Sequence, residues 1–442
     1  MLTDIGAGRT FPQPLAAPGD RLIAGPPLLL LAQGATLALP LALLYSRAAA
    51  EILIGVVDGA FLLHAAAARD WGWLRRPWTL AALPFWLWLV LCSALGPGGW
   101  PSLIQALVAV RFFVFAAALG QWVLAQAPTR RWLWAMVAAS AAWIVIESWQ
   151  QYLFGTNIFG EPRCIDGALT GPFNKPRAGA ALVLILFPAL LPAAAALMGA
   201  GGRSRRELAG PVAGAALAIG GVATMVLIGQ RMPALLTLLG MVTAGLLLRR
   251  ARVAVFGALL IGAAVVAATP VISPPTYGKL VVHFTQQMAD FPRSAYGLLF
   301  TRATVMTEQH KLFGLGFRGF RIACSEPRYD AGIPWLGVRG TGDGGPEACN
   351  LHPHNFYLEA SSSGGLPGLA AFAALVAVWL AVLGRGLIRA PDPLRVGLFA
   401  AALVALWPLA STSEFFSVPN CGWLFLILGW GFAESRPQPA GG

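Results

Sequence analysis

The stretch LHPHNFYLEASSSGGLPG, residues 351–368, holds two of the chain's five histidines, His352 and His354. A neutral imidazole accepts a proton near physiological pH, so either ring could serve as a general base. Two other readings stand beside that one: a metal site shared with His310, or a structural role. No acidic partner sits at a diagnostic ligand spacing, which counts against the metal. His354 suits the base better, because Asn355 follows it at a helix start, where its side chain can cap exposed N–H groups. The following FYLEA would give the ring stiff apolar support, and Pro353 limits the backbone before it. His352 would line the same cleft or bond to neighbouring polar groups.

Cationic side chains recur in three other polar stretches. Arg231, in LIGQRMPALLTLL, lies at the start of an apolar segment. There it is either a snorkelling interfacial arginine or a cation whose helix N–H groups help to attract a phosphate. Arg302, in SAYGLLFTRATVMTEQHKLFG, falls on an amphipathic helix as an ordinary polar-face residue or a ligand contact. Arg163, Lys175 and Arg177 lie in QYLFGTNIFGEPRCIDGALTGPFNKPRAGA. Arg318 and Arg321 flank the glycines of LFGLGFRGF, which read as a tight surface turn. These glycines do not open a strand–turn–helix unit, so a nucleotide fold is a poor reading of them. Arg111 lies inside an apolar span and needs protein, water or an anion around it, with Glu51 or Asp58 as available partners.

The elements that must position these residues are membrane helices. The 442-residue chain is 57% hydrophobic and only 11% charged, against about a quarter charged in soluble domains. Twelve apolar spans are expected, near 27–46, 48–67, 78–96, 102–126, 132–150, 178–200, 210–229, 232–248, 252–270, 364–384, 396–413 and 415–433. The first reads as a retained helix rather than a cleaved signal peptide. The expected division is a membrane body over 1–270 with nine helices, a large external loop over 271–363, a second membrane body over 364–433 with three helices, and a tail over 434–442.

With both termini inside, 17 of the 31 Lys and Arg residues fall on the cytoplasmic side. Short opposite loops carry few positive charges, and a long loop translocates regardless of charge. This arrangement accounts for much of the net charge of +12 without nucleic acid. Cys324 and Cys349 fall on the outer face, where an oxidising environment permits a bridge between them.

HNFYLEASSSGGLPG, with His354-Asn355 followed by Gly365 and Gly368, resembles a motif of the O-antigen ligase and Wzy-type polymerase superfamily. RMPAL resembles that family's arginine–three residues–leucine motif, GPFNKPRAGA its segment before a membrane helix, and TRATVMTEQHKLFGLGFRGF its arginine-bearing segment before the histidine. The resemblance implies an all-α polytopic bacterial inner-membrane protein of GT-C glycosyltransferase architecture. Its active site would face the periplasm, and it would use no metal or other cofactor.

By the same resemblance, the partners are an undecaprenyl diphosphate-linked glycan, a lipid A–core or other glycan acceptor, and membrane lipid. His354 would be the base, with Arg231 and Arg302 on the donor diphosphate. Arg163, Lys175, Arg177, Arg318, Arg321, His352 and Asn355 would complete the substrate-binding set. Polymerases and protein O-glycosyltransferases share the pattern. A lipid-glycan transporter is the alternative of another class, using internal cations without a base.

Overall fold

The computed structural model describes residues 26–199, 209–340 and 349–436. Five arginines of the cytoplasmic count (Arg9, Arg21, Arg203, Arg205 and Arg206), residues 341–348 of the expected external loop and the end of the tail lie outside the described residues. The longer helices are α1 (Pro26–Tyr45), α2 (Arg47–Ala68), α3 (Pro77–Leu95), α4 (Gly99–Val123), α5 (Ala127–Phe154), α6 (Ala178–Gly199), α7 (Ala209–Ile228), α8 (Arg231–Leu247), α9 (Arg252–Ile272), α10 (Ala295–Gln309), α11 (Phe356–Gly384), α12 (Pro393–Ala405) and α13 (Asn420–Glu434). Among the described residues nine helices are long and apolar enough to cross a membrane: α1 to α7, α9 and α11. The protein is thus an all-α, multi-pass membrane protein. Helices α8 and α12 are apolar but shorter, and α13 has 15 residues.

Local chemistry sets several of these elements. The Ser46 side chain caps α2 by accepting from Ala49 N, and Asp392 caps α12 by accepting from Arg395 N. Pro192 has no N–H for the carbonyl of Pro188 one turn earlier. That freed oxygen accepts the indole N–H of Trp134 on α5 at 3.1 Å, tying α5 to α6. Inside the apolar body, Arg111 meets Glu51 at 2.7 Å, one of its two expected partners.

Three stretches depart from the expected spans. Helix α11 begins at Phe356, directly after the histidine pair, and is broken at Gly365, whose φ of 64° and ψ of −163° favour glycine. The glycine turn around 314–316 is not a surface feature. It docks into that break, with Leu315 N on Ser362 O at 2.8 Å, Gly316 N on Ser363 O at 2.9 Å and Leu366 N on Lys311 O at 2.7 Å. A Cβ on Gly314 would lie 2.4 Å from the Ser363 backbone.

The expected spans 396–413 and 415–433 contract to α12 and α13, leaving 406–419 without helix between them. The loop before α11 carries its own small core, in which Leu299, Val305, Met306, Phe320 and Tyr329 pack together. A Cys324–Cys349 disulfide closes it.

Candidate active site

His354 and Asn355 stand where the loop enters α11. Asn355 is the N-cap, its side-chain oxygen accepting from Tyr357 N at 2.9 Å and Leu358 N at 3.1 Å. Its amide nitrogen donates to Pro408 O at 2.6 Å, so the cap also holds the 406–419 segment. This is the placement its residue type at a helix start leads one to expect, and it leaves Asn355 buried.

His354 has a left-handed φ of 56°, uncommon outside glycine, which turns the ring into the junction. Its Nδ1 lies 3.0 Å from Thr412 O, and Thr412 N returns a bond to His354 O at 2.9 Å. A carbonyl only accepts, so Nδ1 must carry the proton and the lone pair resides on Nε2. Nε2 faces the side-chain amide of Asn350 at 2.9 Å, which donates to the lone pair as a hydroxyl would.

Burial lowers the His354 pKa below the usual imidazole value, opposed in part by the bond to Thr412. The His352 ring centroid lies 4.3 Å away. Burial and the neighbouring imidazole push the His352 pKa down to about 4. His352 therefore stays neutral at neutral pH and adds no charge beside the base. Among the described residues no group of three His, Cys, Asp or Glu side chains is arranged to hold a metal ion. His310 instead meets Tyr329 Oη at 3.0 Å.

Arg231 opens α8, as its position before an apolar segment leads one to expect. Its Nε donates to Lys279 O at 2.7 Å and its Nη1 to Gln287 Oε1. Lys279 pairs with Asp166, so two cations and one carboxylate meet at this helix start. Tyr296, at the beginning of α10, links this group to the histidine. Its ring packs edge-on against His354 with centroids 5.5 Å apart, and its phenol lies within electrostatic reach of Arg231. Beside them a small, half-open and mostly apolar cleft lies between helices, lined by Pro233, Leu236, Phe356, Thr412, Asn420 and Leu424 among others.

The remaining expected site residues divide. Arg302 is not in the cleft: it is 1% exposed in the loop core. Its guanidinium meets Cys324 O, the Cys349 sulfur at 3.3 Å and Asp330 at 3.6 Å, so the environment is a structural one. Arg318 is held by Glu414, with Nη2 on Oε2 at 3.3 Å and Nε on Oε1. Arg163 donates to Ser273 Oγ at 3.0 Å and leaves Nη2 buried without a hydrogen-bond partner among the described residues. Lys175, Arg177 and Arg321 are exposed.

Sequence reasoning missed Tyr296, Asn350 and Thr412. The signal for Thr412 was present: STSEFF, residues 411–416, is a polar run inside an apolar stretch, and Pro419 follows it. Reading one uninterrupted span through to 413 absorbed it.

Comparison with known proteins adds one match. Residues 215–373 match a family model described as O-antigen ligase. That stretch runs from within α7 to within α11 and contains Arg231, Tyr296, Arg302, Arg318 and the histidine pair. No curated protein matches the chain.

Proposed function

We propose, from the match of residues 215–373 to an O-antigen ligase family model, that this membrane protein moves a glycan from an undecaprenyl diphosphate carrier to a hydroxyl of lipid A–core. His354 is the general base. The observation that carries this reading is the bond from its Nδ1 to Thr412 O, which puts the lone pair on Nε2, where an acceptor hydroxyl would take the place of the Asn350 amide, with Arg231 across Tyr296.

In the reaction Nε2 takes the acceptor O–H proton as that oxygen attacks the anomeric carbon. The bond from that carbon to the carrier diphosphate breaks, and its electron pair stays on the phosphate oxygen. Arg231 and the N–H groups opening α8 meet this developing charge, where a preorganised cation lowers the barrier most. Lys279 adds to the local positive potential, and Arg163, Lys175, Arg177 and Arg321 supply contacts for the rest of the donor or acceptor. Attack opposite the diphosphate inverts the anomeric carbon.

In this reading α8, α12 and α13 cross the membrane as well, giving twelve spans in an architecture of the GT-C type. Both termini are cytoplasmic, and the loop and site face the periplasm of the inner membrane. The apolar cleft beside Thr412 has the chemistry to receive a polyprenyl chain.

The test is reconstitution with an undecaprenyl diphosphate-linked glycan and separate acceptors. Formation of lipid A–core-linked glycan is the expected result. Longer carrier-linked repeats would reassign the protein as a polymerase, and a glycosylated protein as a protein glycosyltransferase. Donor movement without a covalent product would overturn the enzyme reading.

A further inference from the structure

The 406–419 segment is irregular backbone between two apolar helices. Irregular backbone at such a place persists only where its polar groups are satisfied from within the protein. Here the satisfying groups form a closed circuit around the histidine. Thr412 exchanges two bonds with His354. Three residues on, Phe415 N donates to both carboxylate oxygens of Glu359, at 3.2 and 3.0 Å. Between them, Glu414 grips the Arg318 guanidinium through both of its oxygens. Arg318 in turn belongs to the glycine turn anchored into the break of α11, and α11 is the helix that carries His354 at its start.

We propose that Arg318, Glu414 and Glu359 are positioning residues for the reaction: they fix the 412–415 backbone so that Thr412 O holds His354 in its Nδ1–H tautomer. This rests on the reading of His354 as the base. A two-pronged guanidinium–carboxylate contact fixes direction as well as distance. With side-chain exposures of 27% and 12%, the Arg318–Glu414 pair is sheltered from the solvent that loosens surface ion pairs. The pair also gives Arg318 a role different from the substrate contact expected from its sequence.

Without the pair, the Thr412 carbonyl loses its fixed orientation. The imidazole can then place its proton on either nitrogen, and the Nε2–H form cannot accept a proton from the acceptor. The group that orients a histidine through its other nitrogen acts on turnover rather than on ligand binding.

The test uses full-length protein in lipid with ¹⁵N-labelled histidine, the His354 signals being assigned by their loss in His354→Gln. The wild type is expected to show a neutral Nδ1–H pattern at His354, and Glu414→Gln a mixture of tautomers. Turnover in Glu414→Gln should fall roughly 10- to 100-fold, with donor KM unchanged. The double exchange of Arg318→Glu with Glu414→Arg should restore both signals and turnover. Arg318→Lys keeps the charge but loses the fork; it should fall between, and it replaces Glu414→Gln if that variant does not accumulate.

An unchanged tautomer in the folded variants would overturn the proposal. So would a rise confined to donor KM, which would return Arg318 to the donor site. The ¹⁵N pattern does not depend on the base reading, so normal turnover by His354→Gln would sink that reading separately.

Discussion

Arg231 and Arg302 lie in the same matched family segment, and the sequence expectation gave them one ligand. The structure puts them in opposite surroundings. Arg231 opens an apolar helix beside a cleft, with Tyr296 leading from it to His354. Arg302 is fully buried beneath the Cys324–Cys349 bridge, inside the small core of the loop. On the proposed reading, one arginine of the motif set meets the substrate and the other builds the element that does. The two are told apart by what surrounds the guanidinium.

The sharpest way to break this comparison is to remove each cation. Arg302→Ala takes away one partner of a buried ionic cluster, which costs on the order of 3–5 kcal/mol. The expected result is a loop that fails to fold, read as loss of the disulfide and of thermal stability. A stable Arg302→Ala protein with weakened donor binding would put both arginines in the site. Arg231→Ala should leave folding intact and lower turnover by roughly 10²–10³-fold, the range for loss of one charge-stabilising donor. Equal activity would return Arg231 to the snorkelling reading.

The bridge sharpens the same contrast. Reduction, or Cys324→Ser with Cys349→Ser, frees a 25-residue separation and should cost about 3 kcal/mol in the loop. Activity should fall with it, because Cys349 is followed by Asn350 and the histidine pair. Loop melting measured with and without reductant checks this.

A smaller effect is expected from pH. Unfolded His352 takes up its proton as pH falls through about 6.5, whereas the folded residue resists until about 4. The unfolded state therefore binds more protons in that window, and stability should decline as pH drops from 6.5 toward 4. His352→Asn should flatten the decline, as followed by thermal denaturation at a series of pH values. Least of all, the exposed Lys175→Ala and Arg177→Ala should each change turnover by no more than about threefold, as rim charges do.

Much of this arrangement could be read in the residues. Long apolar runs marked the spans, and Arg111 announced an acidic partner, which is Glu51. Asn355 declared a helix start, and the expected placement of Cys324 and Cys349 on an outer face permitted the bridge that the structure contains. What could not be read depends on contacts between distant segments. The glycines of LFGLGFRGF look like any surface turn until the break at Gly365 offers carbonyls for them to meet. Nothing near Arg302 in sequence shows that a disulfide closes over it. Thr412 acts through its carbonyl, which every residue possesses, so its role is set by where the chain passes. Only the polar run around it marked the place.

The central claim, that His354 takes the acceptor proton, is tested most directly by turnover of His354→Gln in lipid. Donor binding and the disulfide would be verified in the same preparation. A fall of roughly 10²- to 10⁴-fold with donor binding kept is the predicted result, the range for loss of a positioned general base. A folded, donor-binding variant that transfers glycan at the wild-type rate would contradict it.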